Sequence, residues 1–355
     1  MTTKRDKVCR AMDIGLGFTK YTRAGLSNDQ LNAGVFPSLA VEAGLTLRHQ
    51  SGEPNVVTVD VGKQRFLVGE NVKQTHLFNT NHFLENTFYG SDQYISLGMG
   101  AIASMSIPED GNLDVLVIGL PYNVAFEPML LKHINDHFSG QINVPNICGK
   151  AGSIRQINVL QLRIVPQTYG SVLALSMVSQ PRVWLKDERS LIIDIGFGTT
   201  QWLVSDGLIT EPNRSGAMLG GVYNISQRML RSMTHGNHPS VTVMERLDEA
   251  FVKGIPTLQI GGEMFDLREY EDVRNSGIRE ELSQIMRAAG DAFEFHSIFV
   301  TGGGAAIYRG GIERVLVDRT IKIVSGDTRF ANVKGLQYLA ETEGAKFEAR
   351  QKTIS

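Results

Sequence analysis

The chain has 355 residues, 42% of them hydrophobic and 20% charged, an ordinary globular balance that excludes a disordered or fibrous protein. With 35 Lys and Arg against 37 Asp and Glu the net charge is −2, which argues against extensive direct DNA binding but leaves room for a local basic patch. Two cysteines, Cys9 and Cys148, are too few for a disulfide framework or a Cys-rich zinc site, and no apolar run approaches the ~18 residues of a membrane span.

The length fits two domains, since domains cluster near ~100–200 residues. Residues 1–7 run straight into a short strand and carry no signal-peptide core, so a soluble protein of a reducing compartment is expected. In chain order, residues 8–12 read as a strand, 13–20 as a glycine loop, 21–24 as a second strand, and 27–29 as a turn. Residues 113–119 form a buried strand and 125–138 an amphipathic helix. A long strand at 157–165 leads into an apolar helix at 168–178. Residues 190–193, a second glycine loop, 202–204, the turn Ser205-Asp206-Gly207 and 208–210 read as a strand meander. A helix follows at 240–253, with Thr242 and Glu245 spaced as a capping box. Residues 280–292 are helical and lead directly into a strand at 297–301, and 334–350 read as a terminal helix.

The two glycine loops echo each other. Asp13-Ile-Gly-Leu-Gly-Phe-Thr-Lys20 and Asp194-Ile-Gly-Phe-Gly-Thr-Thr-Gln201 share five of eight positions and start 181 residues apart, about half the chain. A self-match at that spacing points to two related domains, each with the same loop at a hairpin tip; the alternative is chance likeness of two turns. A third cluster is Gly302-Gly303-Gly304. Glycine lets backbone N–H groups approach a phosphate closely. Asp13 and Asp194 each end a strand beside a loop, where a carboxylate repels phosphate unless a hydrated divalent cation intervenes. Lys20 supplies a compensating positive charge. The plainer reading of each loop is an ordinary tight turn with a surface Asp.

Other nucleotide motifs fail. A Walker A loop at Gly149-Lys150 lacks the following Ser or Thr and has Val144 in place of its first glycine. The dinucleotide fingerprint breaks at Lys20 in one loop and at Gln201 in the other. His133 and His137 are four apart on a helix but have no third ligand nearby in sequence, His235 and His238 read as loop, and Trp184 and Trp202 as core.

Asp13 to Lys20, Asp194 to Thr200 and Val300-Thr-Gly-Gly-Gly-Ala305 together resemble the two phosphate motifs and the adenosine motif of the actin/heat-shock chaperone/sugar-kinase ATPase superfamily, in the same order and spacing. Val117-Ile-Gly-Leu-Pro121, Gln167 before Gly170, and Asp327 to Gly335 are similar to the ParM-like group that segregates plasmids. The resemblance implies an α/β actin-like ATPase fold of two RNase-H-like domains with a nucleotide cleft between them. Domain I would comprise residues 1–165, with the C-terminal segment 334–355 packing back on it, and domain II residues 166–333.

The implied phosphate-binding residues are Gly15, Leu16, Gly17, Phe18, Lys20, Gly196, Phe197, Gly198, Thr199 and Thr200. Gly302, Gly303, Gly304 and Ala305 would bind adenosine, and Asp13 and Asp194 would hold Mg²⁺ through water. Gln167 stands where the superfamily positions its hydrolytic water; as an amide it orients water and does not take a proton, and a mere helix cap is the competing role. Arg246 and Glu249 lie where adenine is recognised, although a solvated helix face explains them equally well.

The implied function is a filament-forming ATPase for plasmid or other DNA partition, using ATP (with GTP left open) and Mg²⁺. It would act in the cytoplasm of a bacterium, plasmid-encoded chains included. Its partners would be further copies of itself and an adaptor bound to centromere-like DNA, with no direct sequence-specific DNA contact and no membrane. The segment Lys346-Phe-Glu-Ala-Arg-Gln-Lys352 is too charged to insert in a bilayer. A small-molecule kinase and a chaperone-like ATPase are the alternatives on the same fold.

Overall fold

The protein is described by a computed structural model over residues 6–43, 55–72, 86–147, 153–178, 188–236, 240–316, 321–323 and 327–354. The chain divides into two compact units, Met1–Met177 with Asn332–Ser355, and Val178–Ala331. The helix Gln167–Val178 therefore goes with the first unit as far as Met177, and the return point is two residues earlier than the sequence suggests.

The first unit is built on a five-stranded sheet in the order Leu162–Pro166, Val115–Leu120, Cys9–Ile14, Phe18–Thr22, Ala33–Pro37. The first three strands run parallel, and Phe18–Thr22 and Ala33–Pro37 each pair antiparallel with the strand before them. Alternation along a strand sends successive side chains to opposite faces. Met12, Ile14, Leu116, Ile118 and Leu120 accordingly enter an apolar core with Tyr94, Leu97 and Phe138. The helix Asp92–Ala103 covers this face, capped by Ser91 Oγ, which accepts from the Tyr94 N–H at 3.2 Å.

The opposite face takes the C-terminal helix Ala331–Ile354. Gln337, fully buried, accepts from Thr22 Oγ1 at 2.6 Å and donates from Nε2 to the Cys9 carbonyl at 2.9 Å. Glu341 accepts from the Leu26 N–H at 2.6 Å. Satisfied buried polar groups of this kind fix register as well as position. This helix also touches Gln167–Val178 backbone to backbone: a Cβ on Gly335 would lie 1.8 Å from the Gly170 carbonyl oxygen, so only glycine fits the crossing.

The second unit repeats the plan. Its sheet runs Ile209–Thr210, Thr199–Asp206, Arg189–Ile195, Ser297–Thr301, Ile321–Ile323, with Gly216–Leu219 also pairing along Thr199–Asp206. Leu191, Ile193 and Ile195 enter its core with residues of the helices Val222–Met233, Glu271–Ala289 and Ala305–Val315. Both glycine loops are hairpin tips, as expected: Asp13 pairs with Lys20 and Asp194 with Gln201. Even the turn bonds match, Gly15 N–H to Phe18 O at 3.1 Å and Gly196 N–H to Thr199 O at 2.8 Å.

Several boundaries differ from the sequence reading. The expected long strand at 157–165 is two strands in different sheets, Ile154–Val159 and Leu162–Pro166. Its apolar pattern spans the break, where the Leu160 N–H bonds Leu113 O and Gln161 O accepts from Leu116. The expected helix at 125–138 starts at Pro128, because Pro121 O takes the N–H groups of Val124 and Ala125 in a preceding turn. Ser240 and not Thr242 caps the helix Val241–Lys253, accepting from the Val243 N–H. The helix expected at 280–292 is Glu271–Ala289, and a short turn at Ala292–Glu294 separates it from the next strand. Trp202 is buried, as expected, whereas Trp184 lies outside the described residues.

Truncating the chain at Gly335 should strip Gln337 and Glu341 from their partners and expose the Cys9–Thr22 face. We expect a large loss of soluble protein or a clear drop in melting temperature; a truncated chain that melts with the full one would show that this helix is dispensable.

Candidate functional site

In the first unit the notable chemistry gathers at the carboxyl ends of the parallel strands, where open α/β sheets bind ligands. Asp13 occupies the end of Cys9–Ile14 on the face away from the apolar core, 1% exposed. Its Oδ2 lies 3.6 Å from Lys20 Nζ, and its Oδ1 has no hydrogen-bond partner among the described residues. Gly119 pairs with Asp13 on one side and Val165 on the other. Just beyond Val165, Gln167 begins a helix and folds back over Gly119, so Asp13 and Gln167 share one face.

Gln167 is 6% exposed, and its Oε1 is also without a partner, as is Thr168 Oγ1 beside it. An amide oxygen that takes no backbone N–H is not a helix cap, which removes the competing role. Leaving a buried polar atom unpaired costs about 1–3 kcal/mol, so the oxygens of Asp13 and Gln167 on this face call for water or a ligand. In the adjoining loop Leu16 is buried in the core and Phe18 exposed, so Leu16 has only its backbone to offer a phosphate. Gly17 O accepts from the Ser38 N–H at 2.9 Å, which pins the loop from behind.

In the second unit Asp194 is 4% exposed at the matching strand end. Gly302 adjoins it with φ +89°; a Cβ there would fall 2.4 Å from Asp194 Oδ1 and 2.3 Å from Ile195 O, so both conformation and space demand glycine. Gly303 differs, since an added Cβ would meet only Arg329 Cγ at an ordinary 3.7 Å. Packing within the chain does not require glycine there. Gly304 is packed against Ile195 and Val222, and Ala305 opens the helix Ala305–Val315. The loop carbonyls of Gly196, Phe197 and Gly198 are taken by the N–H groups of Val222, Tyr223 and Gly220. Phe197 and Thr199 remain half-buried at the tip.

Thr200 corrects the sequence expectation. It is buried, and its hydroxyl donates to Glu281 Oε2 at 3.1 Å, so this side chain braces the loop and does not face a phosphate. Glu281 also accepts from Tyr308 OH at 2.6 Å and the Gly221 N–H at 3.4 Å; burial raises its pKa and these donors oppose the rise. Nothing in the sequence singles out Glu281 in so charged a helix. Asp248 was also missed. Burial pushes its carboxyl up to about 6, with Arg329 acting against the rise, and its Oδ1 has no partner among the described residues. Arg329, held by Asp327, flanks Gly303, so Gly303, Arg329 and Asp248 form one polar cluster in this unit.

Arg246 donates to the Gln259 carbonyl and Glu249 pairs with Lys253 at 2.5 Å, both local structural roles. His133 and His137 stack at 4.5 Å, with His137 Nδ1 at 2.9 Å from the His133 carbonyl, and His238 lies outside the described residues. Among the described residues no group of three His, Cys, Asp or Glu could ligate a metal directly. Asp13, buried with Oδ1 free of any partner among the described residues, is the kind of single carboxylate that fits the water shell of a hydrated Mg²⁺, which needs only one or two carboxylates.

Residues 11–170 match the family model described as the N-terminal domain of actin-like proteins. Solved structures of similar architecture include an archaeal actin homolog in complex with ADP, 19% identical, covering 94% of this chain and 99% of that one with a TM-score of 0.69. This chain has an actin-like fold. A 15-stranded ParM filament from Clostridium botulinum is likewise similar, 17% identical over 95% of this chain and 100% of that one, TM-score 0.70. Among curated proteins, an archaeal actin homolog of Thermoplasma volcanium is 24% identical, covering 93% of this chain and 98% of its own length. The resemblance read from the three glycine motifs thus holds for the actin-like fold.

The raised carboxyl of Asp248 gives this actin-like chain a specific pH signature. A carboxyl near 4 in the unfolded chain and about 6 in the folded one makes the folded state bind more protons, so stability falls as pH rises through that window. Asp248→Asn should therefore raise stability at pH 7.5 by about 1–2 kcal/mol, a gain that shrinks toward pH 4. Thermal melts across that range check this; a difference independent of pH would mean that Asp248 titrates normally.

Proposed function

We propose that this chain is a nucleotide-dependent, filament-forming ATPase, and the observation that carries the reading is the pair of buried, unpartnered oxygens of Asp13 and Gln167 on one sheet face of an actin-like fold. ATP is the nucleotide we assign, because a similar archaeal actin homolog is a complex with ADP. Asp13 in the first unit and Asp194 in the second would each offer a carboxylate to the water shell of Mg²⁺, whose charge would offset that of the phosphates. The glycine loop of each unit contributes backbone donors to the phosphates, and Lys20 stands ready to neutralise charge beside Asp13. The cluster of Gly303, Arg329 and Asp248 receives the nucleoside.

Gln167 accepts a hydrogen bond from the attacking water and sets its direction. Attack of that water on the terminal phosphorus breaks the bond to the bridging oxygen and yields ADP and phosphate. The proton passes to phosphate or solvent, because an amide takes none near neutral pH. Self-assembly is supported by the likeness to a ParM filament. Head-to-tail contacts of one chain produce open polymers. The finer reading is DNA partition in the cytoplasm, with an adaptor protein carrying the DNA contact, which agrees with the net charge of −2. No helix among the described residues is long and apolar enough to cross a membrane.

Gln167→Ala should spare nucleotide affinity and slow hydrolysis by up to ~10²-fold, the worth of about 2–3 kcal/mol of barrier. Its filaments should outlast those of the wild type in a light-scattering assay. A folded variant with unchanged phosphate release would take Gln167 out of the mechanism. Asp194→Ala should weaken ATP binding when Mg²⁺ is present, and equal affinity by calorimetry would sink the role given to that carboxylate.

A further inference from the structure

The stretch Val117-Ile-Gly119-Leu-Pro121 is not accounted for by phosphate or nucleoside binding. Gly119 is a strand residue whose backbone is not in the left-handed region, so conformation does not demand glycine. Space does. A Cβ added at Gly119 would lie 2.9 Å from Gln167 Cβ, 3.2 Å from Gln167 Cα and 2.9 Å from Leu336 Cδ1. Distances under 3.0 Å are closer than real Cβ contacts, so a neighbour must move. Leu336 is fully buried on the C-terminal helix, so its Cδ1 can give way only by repacking its neighbours. The Gly170–Gly335 crossing, where an added Cβ would lie 1.8 Å from a carbonyl oxygen, holds the helix that Gln167 begins at a fixed depth. Gly170 lies three residues beyond Gln167, so the crossing pins the helix one turn in and leaves its first residue, Gln167, as the part that tilts away.

We propose that Gly119 is a positioning residue for hydrolysis: its missing side chain is the seat that lets Gln167 lie against the sheet beside Asp13. The sheet register places Gly119 directly next to Asp13, so the seat and the carboxylate are neighbours on one face. A methyl group in the seat lifts the amide away from the strand end, its nearest neighbours being Gln167 and Leu336. Gly119 thus acts through Gln167 alone, and the inference rests on the water-orienting reading of that residue.

The test is a double-mutant cycle in the full chain, reading nucleotide affinity, single-turnover phosphate release and melting temperature. Gly119→Ala should slow hydrolysis by about 10- to 100-fold, the known consequence of misplacing a catalytic group by roughly 1 Å. Nucleotide affinity should stay within about twofold, because ground-state binding is untouched. In the Gln167→Ala background the same substitution should cost no further rate, since the amide is already gone, although the Cβ contact and its loss of stability remain. A role confined to packing predicts the opposite pattern, with rate following stability in both backgrounds.

Equal rate losses in both backgrounds, or wild-type hydrolysis by a folded Gly119→Ala chain, would overturn the inference while leaving Gln167 in place. Wild-type hydrolysis by Gln167→Ala alone would instead remove the reading on which it rests. If Gly119→Ala fails to fold, Gly119→Ala combined with Leu336→Ala removes one of the two closest contacts and carries the same comparison.

Discussion

A carboxylate buried at the end of a strand has to be answered by donors, by water or by a cation, and Asp13, whose Oδ1 has no partner among the described residues, carries that demand in this protein. Asp13 and Asp194 each end the central strand of a sheet whose alternate residues fill an apolar core. Alternation therefore turns both carboxylates to the face that the core does not use. An unpaired buried oxygen costs more than a typical hydrogen bond returns, so such atoms persist where a ligand meets them. The neighbours follow from this demand: glycine loops whose carbonyls are tied back by the next segment, and a glutamine whose amide oxygen is left open.

Much of this was legible in the sequence because it is local. The spacing of Asp13, Gly15 and Gly17 and its repeat at Asp194, Gly196 and Gly198 specify a strand, a tight tip and a returning strand, and both hairpins formed. The strand Ser297–Thr301 and the helix after Pro166 were equally plain, since each carries a continuous apolar run bounded by turn residues. What escaped depends on contacts distant in sequence. Thr200 looks like one more loop residue until Glu281, 81 positions later, claims its hydroxyl. The break at Leu160 is invisible to periodicity, because both strands that flank it are apolar. Asp248 is one acid among several in its helix, and only burial separates it from Glu249. Gly119 reads as a weak interruption of a strand; its meaning appears only when Gln167 is found in the space it leaves.

Within the first unit two helices serve the site from one side of the sheet. Gln167–Val178 presents the amide, and Ala331–Ile354 fixes its depth at the Gly170–Gly335 crossing. The same C-terminal helix is stapled to the first hairpin through Gln337. Gln167 is thus carried on a rigid element beside the hairpin that bears Asp13. In the second unit Glu281 does for its loop what Ser38 does for the first, holding the hairpin tip from behind through Thr200 and Gly221.

The central claim is that nucleotide and Mg²⁺ at these strand ends govern assembly. Sedimentation and light scattering of the full chain with ATP and Mg²⁺, with ATP and a chelator, and with no nucleotide test it most directly. The account predicts polymer in the first condition alone, shortening as phosphate is released. Polymer of equal mass and lifetime in all three conditions, or none in any while ATP is bound and cleaved, would contradict it.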